Sequence, residues 1–408
     1  MLREELKKIW RPGMVLVLAV LGLIYYMMFL EFYISHFPNG PHAEGMLAIG
    51  KQMLEAYGTE VSSQEMADFE SGIVLLREEA DQYVAQSSIG KKYGLKTYEQ
   101  YGAFRQETLE ALQDTGQTAD QNETYADVML LENYVQGEET GNIEGRLYAA
   151  VWYSQIYRRW ELYGTDGRGD VFASQKEREH AQEMFFGTDP KWQNILPWDI
   201  TQTSGVYAGR LLVWVCLSVC LLLAPLPVLD RMAGMRAVQY SSRHGHRIYR
   251  TQLAAVLLSA LVLTAANLAL FGGLFARHGI AAFFPCRIFS FMDTPFAWAD
   301  WTYGSWCLVL VLMCFLMAAG TAGMVFFLSG CCPDYIAMLL RVLPLFIVLA
   351  FFSPKLMEDA FYYGNRLYQY TGVPYAELVS AAAVFAAGAV FSCLGAARAG
   401  KEPAQPHL

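Results

Sequence analysis

Two places in this chain bring reactive side chains close together. His244 and His246 sit in the basic stretch SSRHGHRIYR, and Cys331 and Cys332 are adjacent at a turn between two apolar runs. A metal ion would need further ligands at a suitable spacing, and none flanks the histidines, so they read as solvated loop residues and no metal site is expected. The cysteines read as reduced thiols. The phosphate-cradling pattern G-x-x-x-x-G-K-[ST] is missing, so an ATPase activity is not expected. H-E-x-x-H, G-x-S-x-G and C-x-x-C are missing too, which removes the commonest grounds for a zinc protease, a serine hydrolase or a redox enzyme. No catalytic residue is nominated, and an enzyme is the weaker reading.

Glu31, Arg341 and Glu377 stand inside or at the edge of apolar runs. A charge inside a membrane is costly, which makes Arg341 by default a candidate functional group. A milder reading has it reach back to the membrane surface, with Asp334 seven residues earlier on the same helical face. Glu31 and Glu377 lie near span ends, where water could solvate them.

The elements that must position these residues follow from composition. Of 408 residues, 54% are hydrophobic and 17% charged. Residues 36–205 hold 28 Asp or Glu and 13 Lys or Arg, a net of −15; the rest hold 11 and 17, a net of +6. The acidic balance argues against a nucleic-acid partner. A membrane of ~30 Å needs about 20 apolar residues per crossing helix. Six runs qualify, at 13–35, 206–229, 251–276, 304–329, 335–353 and 376–397. Residues 1–12 read as an interfacial amphipathic helix, and 398–408 as a tail. Lys and Arg in the short flanks favour one side eleven to four, which places both termini in the cytoplasm and 36–205 outside. Apolar residues at helical spacing there, such as Ile73, Leu76 and Tyr83, predict four to six amphipathic helices with no disulfides. The net of −15 would favour cationic ligands or simply keep the surface solvated.

The fold expected is an all-α integral membrane protein of the plasma membrane, with six transmembrane helices and a helical extracellular domain inserted between helices one and two. Residues 277–303 interleave aromatic residues with proline, and so read as a loop lying in the outer interface. AAGTAG at 318–323 and AAAVFAAGAV at 381–390 would let helices approach closely, within one chain or across a dimer.

Residues 229–256, LDRMAGMRAVQYSSRHGHRIYRTQLAAV, resemble the first cytoplasmic loop of ABC transporter permeases of the type-two exporter class, especially the large-ectodomain permeases of Firmicutes. Asp230, Gly234, Ser241, Ser242, Gly245, Arg247 and Arg250 occupy that pattern, with Arg243 in the basic cluster and Gln252 where lysine is common. The order of elements is similar over most of the chain. The resemblance implies a permease subunit whose 230–250 loop couples it to a separate ABC ATPase subunit. ATP and Mg would sit on that partner, with no cofactor in this chain, and the permease would form a homo- or heterodimer among membrane lipids. The competing expectation is a membrane-anchored sensor or interaction protein whose extracellular domain binds a ligand.

Overall fold

The computed structural model describes every residue except 41, 116–121, 188–190, 236–244, 293–295, 298 and 400–408. Its described residues are helices, turns and two isolated β-bridges, an all-α architecture. Six helices are long and apolar enough to cross a membrane: Pro12–Ser35, Trp198–Met232, Ile248–Ala276, Tyr303–Gly330, Tyr335–Met357 and Ala376–Arg398, called spans one to six below. The chain is therefore a multi-pass membrane protein. A helix is the form in which a single segment satisfies its own backbone polar groups without water, so each apolar run adopts it. Span two begins earlier than its apolar run, at Trp198. Span five continues to Met357 through Pro344 and Pro354, since a membrane helix tolerates proline. Spans one and three each contain a π-helical turn, Tyr26–Leu30 and Leu268–Gly272.

The chain divides into two compact units: residues 1–37, 201–281 and 296–408 in one, and 38–200 with 282–295 in the other. The first unit holds the spans. Spans four and six approach backbone to backbone, where a Cβ on Gly320 would overlap the Val384 carbonyl and one on Gly388 would overlap Gly320. The two small-residue faces thus pack against each other within one chain. Spans one and five leave Leu16, Ile336, Leu340 and Phe351 exposed, surfaces suited to lipid.

The second, acidic unit contains seven α-helices among its described residues, the short Ser88–Tyr93 helix carrying the number past the expected range. Ser62 starts the Ser63–Gln86 helix with a reciprocal cap, accepting from the Glu65 amide while its own amide donates to the Glu65 carboxylate at 2.8 Å. One core cluster gathers Ala80, Val84, Tyr101, Leu131, Val135 and Ile143.

The expectation for 277–303 is corrected over much of its length. Phe283, Phe289 and Phe291 are fully buried within the acidic unit. Phe289 lies 3.8 Å from Phe185 and edge-on to Trp160 at 5.6 Å, while Phe291 meets Tyr157 edge-on at 5.2 Å. Polar bonds pin the segment, with the Leu196 amide donating to Ser290 Oγ at 3.1 Å and the Arg287 amide to Asn194 Oδ1 at 2.7 Å. Removing a phenylalanine from water contributes about 1.5–3 kcal/mol, so three of them hold this segment in the core. Cys286 enters the unit with this strap, buried and free.

Replacing Gly320 or Gly388 by Leu should separate spans four and six, at a cost of roughly 1–3 kcal/mol from overpacking. Thermal unfolding in detergent is expected to show a lower midpoint for either variant. Gly72→Ala, at a helical position where a Cβ meets nothing within 4 Å, should leave it unchanged or higher.

Candidate functional site

The helix Leu2–Ile9 turns Glu5 and Ile9 inward and leaves Glu4 and Lys7 outward as an exposed ion pair of 2.9 Å. Its inward face is not purely apolar. Lys8 Nζ donates to Glu5 at 3.0 Å and to Asp230 Oδ1 at 3.1 Å, across 222 residues of chain. Gln252 Nε2 closes the set, donating to Asp230 Oδ2 at 2.7 Å and to Glu5 Oε2 at 3.3 Å. Glu5, Asp230 and Gln252 are only 9, 8 and 9% exposed, so each needs these partners. Trp10 adds an indole hydrogen bond to Ser259 Oγ at 3.0 Å.

The result is a clasp joining the N-terminal helix to the end of span two and the start of span three, the two helices that flank residues 230–250. Burial works against the Lys8 charge, but its bonds to Glu5 and Asp230 outweigh that and raise its pKa above the ordinary lysine value. A raised lysine contributes fully below its unfolded pKa of about 10.4 and loses that contribution as pH rises through the folded value, so Lys8 keeps its charge throughout the neutral range.

The same end of the membrane unit gathers arginines around the last carbonyls of span four. Arg231 donates to the Cys332 carbonyl at 2.9 Å and the Gly330 carbonyl at 2.8 Å, and Arg341 to the Cys331 carbonyl at 2.9 Å. Arg398 reaches Cys331 Sγ at 3.1 Å and lies 5.0 Å above the Phe327 ring. A helix C-terminus carries partial negative charge and unsatisfied carbonyls, so cations are favoured there. Arg341 is thus exposed, with its guanidinium drawn back to the helix end. Asp334 is not its partner: its carboxylate accepts from the Ala337 amide at 2.8 Å and caps span five.

Of the residues singled out in the 230–250 segment, the structure brings Asp230 into the clasp. Gly234 adopts φ +65°, a left-handed conformation that suits glycine, just beyond the Pro225–Met232 helix. Gly245 and Arg247 belong to the Gly245–Asn267 helix and Arg250 is exposed on it. Ser241, Ser242 and Arg243 lie outside the described residues. Local spacing carried no signal for Glu5 and Lys8 as partners of Asp230.

At the other end of the spans, Glu377 is wholly buried, not solvated as its place near a span end suggested. Its Oε1 accepts the Phe361 amide at 3.2 Å, from a residue held at φ +69°. Trp306 Nε1 fixes the neighbouring Ala360 carbonyl at 2.9 Å, and Asn365 Nδ2 holds the Glu358 carbonyl at 2.8 Å. Burial pushes the Glu358 and Asp359 carboxyls up, against the pull of Arg210 and Arg366 on the first and of Arg366 on the second. Arg210, inside span two, is a further charge among apolar residues that the sequence displays and that the reading of Glu31, Arg341 and Glu377 leaves out. Among the described residues no group of His, Cys, Asp and Glu is placed to hold a metal ion.

Compared with protein-family models, curated proteins and solved structures, the chain matches none.

Lys8→Ala should cost roughly 1–3 kcal/mol by removing the lysine bonds to the buried Glu5 and Asp230 carboxylates. Its expected signature is a lower unfolding midpoint and faster proteolysis ahead of span one. Adding Gln252→Lys to that variant, which returns a cation to the same carboxylates, should restore both readouts. No change in the single variant would mean the clasp is not structural.

Proposed function

We propose that this chain is the membrane-spanning permease subunit of an ABC transporter, an exporter of the plasma membrane driven by a separate ATPase subunit. The observation that carries the reading is the clasp. A segment that passes on a partner's movement must be joined stiffly to the helices it moves, and Glu5, Lys8, Asp230 and Gln252 join the helices on both sides of residues 230–250 to a third. The exposed Arg250 and the arginine-rich end of span four add a cationic surface at the same end, suited to an acidic docking face.

On this reading both termini are cytoplasmic, residues 38–200 face outward, and the differential energy for moving cargo comes from ATP and Mg bound by the partner. Arg243, Arg247 and Arg250 would meet the ATPase, while Asp230 and Gly234 would shape the segment that presents them.

The test is co-purification of an ATPase subunit encoded beside this chain, from mild detergent, with ATP hydrolysis measured on the complex. Arg243→Glu with Arg247→Glu should abolish the complex while the protein remains folded in the membrane. An intact complex after charge reversal would remove the coupling role of this segment. Failure of any ATPase to associate would favour the membrane-anchored sensor.

A further inference from the structure

The acidic unit contains a cleft of about 810 Å³, bounded by the helices Ser63–Gln86, Tyr98–Thr115 and Ile143–Tyr163. One wall is aromatic and rigid. Tyr148 and Trp152, one helical turn apart, lie nearly parallel at 8° with centroids 6.2 Å apart, and His42 stacks on Tyr148 at 4.2 Å. His42 holds φ +62°, a costly conformation for a side chain with a Cβ, and it precedes the Ala43–Tyr57 helix there. Tyr148 is nevertheless 40% exposed. The lining includes two carboxylates, Asp81 and Glu99, and one cation, Arg77. Asp81 is fixed in place by the Tyr98 amide, which donates to it at 2.7 Å.

We infer that this cleft binds an organic cation with an apolar or aromatic body. The faces of tryptophan and tyrosine attract cations through their ring quadrupoles, and carboxylates beside them add to the attraction. Residues 36–205 carry a net of −15, which concentrates cations around the unit and disfavours anions. The volume is that of a site for a single small molecule, in the usual range of about 300–1,000 Å³. The apolar part of such a ligand would lie against Leu147 and Val151, which line the cleft. The inference concerns this unit alone and holds whether or not the chain works with an ATPase.

The experiment uses the full chain in detergent and two probes of matched shape and opposite charge, (2-naphthylmethyl)trimethylammonium and 2-naphthalenesulfonate, titrated by calorimetry. The ammonium should bind and the sulfonate should not, with affinity falling as salt is added. Trp152→Ala and Glu99→Gln should each weaken binding by roughly tenfold, and Arg77→Gln should strengthen it by about threefold through loss of repulsion, an effect unfolding cannot mimic. Gly102→Leu should block the cleft, because Gly102 lines it at a helical position with open space around the missing Cβ. Equal binding of the two probes, no binding of either, or an affinity indifferent to Trp152→Ala and Gly102→Leu would overturn the assignment.

Discussion

The backbone-to-backbone approach of spans four and six is the constraint around which the membrane unit is arranged. In a solvent as apolar as the side chains themselves, helices associate through close van der Waals fit, and such fit is available only where Cβ atoms are missing. Gly320, Gly323 and Gly388 supply that fit. With span four fixed, its two ends become attachment points. At one end the carbonyls of residues 330–332 collect arginines from span two and span five, and the Cys331 thiol takes one from span six. Near the other, Trp306 takes the Ala360 carbonyl, and the segment between spans five and six folds over it.

That connecting segment has an unusual backbone. Asp359, Phe361 and Tyr375 all have positive φ without being glycine. Each such residue costs on the order of 1–3 kcal/mol and persists only where its surroundings determine it. Here the determinants are visible: Asn365 holds two carbonyls and accepts two amides, and the buried Glu377 takes the amide of Phe361. These bonds hold the segment in place in a region with little access to water.

The six spans were legible in the sequence because a membrane imposes a run length that few soluble helices reach. Their ends were less so. The fifth apolar run reads as ending at 353, yet the helix continues through Pro354 to Met357. The aromatic strap of 283–291 was misread because aromatic residues are favoured both at interfaces and in cores, and only the partners Phe185, Tyr157 and Trp160 distinguish the two. Asp230 could be singled out from the pattern around it, but its cation stands 222 residues away, beyond any local spacing. The pairing of Arg341 with Asp334 satisfied helical periodicity and failed because an exposed amide at a helix start competes better for the carboxylate.

The π-helical turns in spans one and three change what a straight helix could present. Each inserts one residue beyond the α-helical count, turning everything after it by about 100° relative to the regular register. The two turns meet, with Tyr26 stacked on Phe271 at 6.0 Å, and the Tyr207 hydroxyl takes the Phe271 carbonyl at 2.7 Å. Each span therefore carries two facial codes in series, one read before the bulge and one after. The residues on either side of each bulge face different neighbours than an unbroken α-helix of the same sequence would give them.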